Sequence, residues 1–449
     1  MPEEDQAPAR PSAPSHAGPR LSRRAFLGAA GGGAAAIGLA GVGGFALAGG
    51  IAESPPSGAR TYPFHGPHQA GIVTPAQDRM YTTAFDLTTT SRDELLAMLR
   101  RWTIMSARLT RGLPAGPTGS TSGPYDAPPE DTGEAMDLPA AGLTITLGFG
   151  RSLFVGTADE PTDRFGLADR LPAALIALPH FPRDDIDPAR SDGDIVVQAC
   201  ADDPQVAVHA IRNLTRSAFG TARVRWSQLG YGRTSSTSQA QLTPRNLFGF
   251  KDGTANIKAE ETAELDRHVW VKAADDTAAS WMAGGTYMVA RRIRMIVETW
   301  DRSSLREQEG IIGRTKAEGA PLSGGSETTD PDFDAPGRAG EPLITETAHV
   351  RLAHPTSNGG ARMLRRGYTF TDGDDGLGRL DAGLFFVAFV RDARTQFVPM
   401  QTALARSDAL SEYLVHKGSG VYAVPPGVPS IGDDGSLVGD AIIGGGLFT

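Results

Sequence analysis

Cysteine is almost absent from this chain of 449 residues, which contains only Cys200. A single thiol cannot form an internal disulfide, and it excludes a metal cluster held by several cysteines. The chain also lacks a strongly basic run, and its formal net charge of −9 makes nucleic acid a poor partner. Neither Gly-x-Ser-x-Gly nor His-Glu-x-x-His occurs, so these two hydrolase motifs are absent as well.

The first fifty residues have the pattern of a targeting segment. Ser22-Arg23-Arg24-Ala25-Phe26-Leu27 opens an uncharged run, residues 25–52, built mostly of Gly and Ala. Twin arginines before a weakly apolar run are typical of a Tat export signal, so we predict one over residues 1–48. The run is long enough to be a retained membrane anchor instead, although its glycines disfavour a helix. We expect transport by the Tat translocase to the periplasm, the cell envelope or the outside.

The residues after this leader suffice for two domains with a substantial core. In the first, residues 57–235, strand-like stretches alternate with helices, one of which begins at Ser91 with the capping-box sequence Ser-Arg-Asp-Glu. Apolar side chains share one face of that helix and are predicted to be core: Leu95, Met98, Trp102 and Met105. The second domain, residues 236–449, repeats the order of strands and helices, which predicts an α+β fold.

The most distinctive stretch is Gly249-Phe250-Lys251-Asp252-Gly253-Thr254-Ala255-Asn256. Its glycines permit positive φ and let the backbone approach a ligand closely, although Asp-Gly alone indicates no more than a tight turn. Two further segments with reactive side chains follow about a hundred residues later: Glu346-Thr347-Ala348-His349-Val350-Arg351-Leu352 and Met363-Leu364-Arg365-Arg366-Gly367-Tyr368. Together the three segments supply a carboxylate, an imidazole and a guanidinium.

These three segments, in this order, resemble those of the dye-decolorizing peroxidases, and the resemblance extends from about Tyr62 to the C-terminus. It implies two ferredoxin-like domains, each an antiparallel sheet with helices. It also implies one haem b per chain, bound mainly by the C-terminal domain. The sequence lacks the Arg-x-x-Phe-His motif of plant-type peroxidases, which disfavours that family.

The resemblance makes His349 the axial ligand of the haem iron, because Ala-His-Val-Arg-Leu-Ala matches the ligand segment of the family with only Val350 exchanged. The second ring nitrogen of such a ligand donates to an acceptor, which the sequence does not identify. His354, five residues on, is the competing candidate. His354-Pro355-Thr356 stands where relatives have Asn-Pro-Arg, so the resemblance places these residues against the haem without the family's arginine.

Asp252 and Arg365 are the residues that the resemblance assigns to catalysis. A carboxylate within reach of both peroxide oxygens can carry a proton from one to the other, and a fixed guanidinium can stabilise the developing anion. A structural or propionate salt bridge is the alternative for Arg365, and Arg366 is then the catalytic arginine. The resemblance also places five residues against the haem: Gly253, Thr254, Ala255, Leu384 and Phe386.

The remaining histidines after the leader have no comparable setting. We expect His209 and His268 to be structural or at the surface, and His180 and His416 to lie in loops or at helix ends. His65-Gly66-Pro67-His68 is similar to the N-terminal signature of the same family.

The chain is therefore predicted to be a haem b peroxidase that reduces hydrogen peroxide and oxidises organic donors in one-electron steps. Relatives with such a leader belong to iron-uptake systems, so iron release from haem, with iron-uptake proteins as partners, is the alternative. A non-catalytic exported haem-binding protein is a further alternative, which the Asp252–Arg365 pair disfavours. We expect bulky donors to be oxidised through a surface Trp or Tyr that the sequence does not single out.

Overall fold

A computed structural model describes residues 60–157, 160–429 and 441–449, and the predicted export leader lies outside these ranges. The strands are β1 (Arg79–Leu87), β2 (Thr144–Gly150), β3 (Ile195–Ala201), β4 (Ala222–Arg233), β5 (Thr286–Met295), β6 (Leu364–Arg365), β7 (Tyr368–Asp374), β8 (Leu380–Val390) and β9 (Leu414–Val424). The helices are α1 (Arg92–Leu109), α2 (Ser152–Val155), α3 (Pro204–Ser217), α4 (Thr262–His268), α5 (Val297–Trp300), α6 (Leu305–Ile312), α7 (His349–Leu352) and α8 (Phe397–Ser407). Within the described ranges, no helix is both long and apolar enough to cross a bilayer.

The strands form one antiparallel sheet that closes on itself. Their order is β5-β9-β2-β3-β1-β4-β7-β8-β6, and β8 also pairs with β5, which completes the ring. The short strand β6 and the longer β7 both pair with β8, β6 near its end and β7 near its start. The α+β class with antiparallel strands is therefore confirmed.

The two halves of the ring have the same internal order. In the first half β1 pairs with both β3 and β4, and β2 pairs with β3. In the second half β5 pairs with both β8 and β9, and β7 pairs with β8. The β2–β9 and β4–β7 pairings join the halves.

The first half is built as the apolar pattern predicts. Strands β2 and β3 are buried at all of their positions, and α1 packs its apolar face onto the sheet. Leu95, Met98 and Trp102 are fully buried and Met105 is half-buried against the same core, so the predicted stripe is confirmed. Ser91 caps α1 by accepting a hydrogen bond from the Glu94 amide. Only half of the predicted capping box is formed, because the side chain of Thr89, and not that of Glu94, accepts a hydrogen bond from the amide of Ser91.

An aromatic cluster on the second half connects two segments that are far apart in sequence. The ring of Phe248 stacks on Trp300 at 4.3 Å between centroids, and Phe250 meets Trp300 edge-on at 5.9 Å. Tyr413 contacts the same indole at 5.1 Å. The segment that holds Asp252 and the 3-10 helix Ala409–Tyr413 are thus fixed to one buried side chain.

His416 is a correction to the sequence prediction, because it lies in β9 and not in a loop or at a helix end. Its side chain is nearly buried, with Nδ1 3.7 Å from the carboxylate of Asp184. Arg291 pairs with that same carboxylate. Burial, and next the charge of Arg291, lower the pKa of His416 to about 3, so this histidine is neutral in the folded protein near neutral pH.

Candidate active site

Asp252 is presented by a tight loop that depends on two glycines. Gly249 and Gly253 have φ of +80° and +85°, which favours glycine. A Cβ on Gly253 would also lie 3.0 Å from the Cα of Ser235, so the backbones approach closely here. The amide of Asp252 donates to the Pro244 carbonyl at 2.9 Å, which holds the loop closed.

The carboxylate of Asp252 has one donor on each oxygen. Arg365 Nη1 donates to Oδ1 at 2.8 Å, and Asn246 Nδ2 donates to Oδ2 at 3.2 Å. The Asp252 and Arg365 side chains keep 15% and 28% of their surface exposed. A carboxylate can accept about four hydrogen bonds, so Asp252 retains lone pairs for a further partner.

Arg365 is held in place through its backbone. Asn256 accepts from the Arg365 amide at 2.7 Å and donates to the Arg365 carbonyl at 2.8 Å. The same amide group of Asn256 also donates to the carbonyl of Ser236. The side chain of Arg365 therefore extends from a clamped two-residue strand, β6, toward Asp252.

Arg366 has a different role in the structure. It is fully buried and donates to the backbone carbonyl of Thr74 and to the side chain of Gln77. These bonds tie the segment before β1 to the second half of the sheet. Arg365 is thus the arginine beside Asp252, and Arg366 is engaged elsewhere.

His349 begins α7 and has a carboxylate on its ring. Nδ1 lies 2.6 Å from Asp408 Oδ2, and Asp408 is buried at the start of the 3-10 helix that it caps. Because Nδ1 is bonded to Asp408, Nε2 is the ring nitrogen that can bind a metal. The side chain of His349 keeps 33% of its surface exposed, as a ligand to a large cofactor requires.

The electrostatics connect His349 with the Asp252–Arg365 pair. Burial alone would lower the pKa of His349, but the charge and hydrogen bond of Asp408 outweigh it and raise the pKa. The charge of Asp252 acts in the same direction and that of Arg365 in the opposite one. All three predicted reactive groups therefore share one region of the structure.

His354 is placed differently from His349. Its Nδ1 accepts from the Thr356 amide and lies 2.8 Å from the Thr356 hydroxyl, so it caps the 3-10 helix Pro355–Asn358. Its ring meets Phe333 edge-on at 5.1 Å. Burial lowers the pKa of His354. Among the described residues, no hydrogen bond or ion pair joins His354, Pro355 or Thr356 to Asp252 or Arg365.

Leu384 and Phe386 lie on β8, next to the strand that carries Arg365, and both are only half-buried. Leu384 packs against the aromatic cluster around Trp300, and Phe386 lies 6.1 Å from Phe397 of α8. Half-buried apolar side chains beside Arg365 are what a flat apolar cofactor would cover.

An acidic loop, residues 323–341, contacts both sides of this region. Glu327 pairs with Lys251 and accepts from the Thr254 hydroxyl at 3.2 Å, which attaches the loop to the Asp252 segment. Phe333 of the loop contacts His354 beyond α7. The loop thus connects the segments of Asp252 and His349.

These residues fit a haem better than a bare metal ion. In the described part of the chain, no three His, Cys, Asp or Glu side chains are grouped to hold an ion. One imidazole with its second nitrogen bonded to Asp408 suits an iron whose other ligands come from a porphyrin. The charges of Asp252 and Arg365 both act on the His349 imidazole, so the pair lies in the same region as the candidate iron ligand.

Family models match both halves of the chain. The model described as Dyp-type peroxidase, N-terminal, matches residues 69–232, and the model described as Dyp-type peroxidase, C-terminal, matches residues 243–429. The chain belongs to the Dyp-type peroxidase family. The matched ranges include Asp252, His349 and Arg365.

Individual relatives agree with this membership. The chain is 41% identical over 368 residues to a dye-decolorizing peroxidase of Thermobifida fusca, covering 80% of each protein. It is 38% identical over 386 residues to the deferrochelatase of Escherichia coli K12, covering 85% of this chain and 87% of that protein. The solved structure of ferric DtpA from Streptomyces lividans has a TM-score of 0.77 at 40% identity, covering 88% of this chain and all of that one.

Three polar residues of this site were not predicted from the sequence. Asp408, Asn246 and Asn256 bond to the ring of His349, the carboxylate of Asp252 and the backbone of Arg365, respectively. Asp408 follows Ser407 in a plausible helix-cap position, but its pairing with a histidine 59 residues earlier depends on tertiary contacts. No local pattern reveals such pairings.

Proposed function

We propose that this protein is a haem b peroxidase of the dye-decolorizing type. The observation that carries the proposal is the hydrogen-bonded Asp252–Arg365 pair in the same region as an imidazole whose Nδ1 is bonded to Asp408. Two donor molecules each give one electron and one proton, and these reduce one hydrogen peroxide to two waters. Family membership and the peroxidase relatives agree with this reaction.

Each polar residue has a distinct part in the reaction. When bound, haem supplies a redox-active iron at which peroxide is reduced. His349 would hold it through Nε2, and Asp408 keeps the imidazole oriented and electron-rich through Nδ1. Asp252 accepts a proton from one peroxide oxygen and returns it to the other. Arg365 stabilises the negative charge that develops as the oxygens separate.

The finer architecture belongs to this proposal. We infer two ferredoxin-like domains, residues 57–235 and 236–449, with haem held mainly by the second. The strand order β2-β3-β1-β4 and its counterpart β7-β8-β5-β9 support the assignment, because each matches the βαββαβ unit with antiparallel neighbours. The residues that we assign to haem lie in the second range.

Iron release from haem is the second candidate. It is favoured by relatives named deferrochelatase at 38% identity. The Asp252–Arg365 pair favours the peroxidase, because reducing peroxide requires a proton carrier and a fixed positive charge beside the iron. Partnership with iron-uptake proteins belongs to this second candidate.

One preparation tests the proposed function. Haem-loaded protein should show a Soret band, bleach a dye only when peroxide is present, and keep its iron in the porphyrin. Absence of a Soret band after reconstitution with haem would refute the cofactor. Release of iron-free porphyrin without peroxide-dependent dye oxidation would favour the second candidate.

We further propose export of the folded protein by the Tat pathway, based on Arg23-Arg24 and the uncharged run behind them. Replacing both arginines by lysine should leave haem-loaded precursor in the cytoplasm, as measured by fractionation and immunoblotting. Undiminished export of this variant would argue for another route.

A further inference from the structure

A cavity of about 590 Å³ lies outside the region of Asp252 and Arg365. Its walls come from residues around α4 and the turn after it, from the start of β5, from the loop 358–361 and from the turn 391–396. Asp252, Arg365 and His349 do not line it. The volume falls within the range of cavities that bind small organic molecules, roughly 300–1,000 Å³.

Tyr287 is a buried polar residue that lines this cavity. The residue is 2% exposed, and within the described ranges no hydrogen bond of its hydroxyl is found. The charges that act most on the hydroxyl, those of Asp276, Asp392 and Arg394, all belong to residues that line the cavity. Because Tyr287 lines the cavity and its hydroxyl has no partner among the described residues, we infer that this hydroxyl is available to a ligand.

The charges around Tyr287 restrict the class of ligand. Arg391 pairs with Asp275 and Arg394 pairs with Asp392, each through two guanidinium nitrogens. Both positive charges are therefore neutralised by carboxylates of the protein itself. Asp276 accepts hydrogen bonds from backbone amides, including that of Ala173 at 2.7 Å.

Burial, and next the carboxylates of Asp276 and Asp392, raise the pKa of Tyr287, so its hydroxyl stays protonated. Asp276 has no ion-pair partner among the described residues and accepts only from backbone amides, so its carboxylate disfavours an anionic ligand in the cavity. A neutral or cationic molecule meets no such penalty.

The cavity shares structural segments with the haem region. The loop 358–361 continues from the 3-10 helix that His354 caps, nine residues after His349. Gln396 lines the cavity, and the next residue, Phe397, packs against Phe386 of β8 at 6.1 Å. A molecule in the cavity is thus held by the same elements that border the haem region.

We propose that this cavity binds the electron donor, a neutral or cationic aromatic molecule of one or two rings whose hydroxyl or amino group hydrogen-bonds to Tyr287. The assignment rests on the proposed peroxidase function for the donor's role, whereas the binding itself stands on the cavity and on Tyr287. Each bound donor loses one electron and one proton, and two such turnovers reduce one hydrogen peroxide to two waters.

The test uses haem-loaded enzyme with 2,6-dimethoxyphenol as the probe. Titration calorimetry without peroxide gives the Kd, and steady-state oxidation with peroxide gives the KM. Tyr287→Phe removes one oxygen and should weaken binding and raise the KM about fivefold, as expected for the loss of one hydrogen bond. Ala361→Trp fills the cavity and should abolish calorimetric binding. The matched control Tyr231→Phe removes a hydroxyl that bonds to Thr371 on the exposed face, and it should change neither constant.

The outcomes separate the cavity from the proposed function. An unchanged Kd in both Tyr287→Phe and Ala361→Trp would overturn the site. A sulfonated anthraquinone dye should not displace the phenol from the wild type. If it does so, and the displacement depends on Tyr287, the restriction to neutral or cationic ligands is wrong. Binding with the expected variant effects but no oxidation by peroxide would support the cavity and overturn the peroxidase function instead.

Discussion

Two histidines five residues apart differ in what their rings contact. His349 has the buried carboxylate of Asp408 on Nδ1, whereas His354 uses its Nδ1 to cap the helix that follows it. A metal ligand needs one free nitrogen and an acceptor on the other, and His349 meets this requirement. We therefore predict that His349→Ala loses most of its haem, as measured by the Soret absorbance per protein.

The control for this prediction is His354→Ala. This variant should keep a normal Soret band, because the His354 ring caps a 3-10 helix and is not assigned to the iron. The opposite result, haem lost from the His354 variant and retained in the His349 variant, would show that the axial ligand is misassigned.

At the residue scale, the candidate site residues could be named from the sequence, but the residues that support them could not. Asp252, His349 and Arg365 stand in local settings that resemble a family, and the structure brings them into one region. Asp408, Asn246 and Asn256 are acidic or amide residues of ordinary appearance. Their partners are defined by folding, as when Asn256 meets Arg365 109 residues later in the chain.

At the scale of elements, the loop 323–341 connects the segments of Asp252 and His349 through the Lys251–Glu327 ion pair. Both side chains are partly buried, so we assign the pair about 1 kcal/mol. Glu327→Ala should loosen the loop and speed haem transfer to apomyoglobin roughly fivefold. The exposed residue Glu318 provides the matched control, and Glu318→Ala should leave transfer unchanged. Equal rates in the two variants would contradict a role of the loop in haem retention.

The sequences of β7 and β9 do not indicate strands, for a physical reason. β9 contains Gly418 and Gly420, and β7 contains Asp372-Gly373-Asp374, which are residues disfavoured in strands. Pairing with neighbours on both sides overrides such preferences. A Cβ on Gly418 would lie 2.5 Å from the carbonyl oxygen of Arg190. This glycine therefore permits a close approach of the two backbones, which the neighbouring residues in the sequence do not predict.

At the scale of the whole molecule, His416 couples stability to pH. Its pKa is about 3 in the folded protein against 6.5 as the ordinary value. Between these values the unfolded chain binds a proton that the folded protein excludes, so stability falls as the pH drops from about 6.5 toward 3. The total effect is on the order of a few kcal/mol. We predict that His416→Gln reduces the difference in the free energy of unfolding between pH 7 and pH 4, as measured by urea unfolding.

The exposed residue His180 is the matched control, and His180→Gln should lose stability with acid as the wild type does. If His416→Gln keeps the full pH dependence, other groups carry the acid sensitivity and His416 is not the sensor.

The central claim is that Asp252 and Arg365 act together on peroxide. Asp252→Asn keeps the shape of the side chain and removes the base. Arg365→Leu removes a charge whose loss typically costs about 3 kcal/mol, or roughly a hundredfold in rate. The most direct measurement is stopped-flow absorbance of the Soret band after mixing with hydrogen peroxide, for the wild type and both variants at equal haem content. We predict that both variants react more slowly, Arg365→Leu by about a hundredfold and at least as much as Asp252→Asn. Rates within about tenfold of the wild type in both variants would contradict the account and make the pair structural.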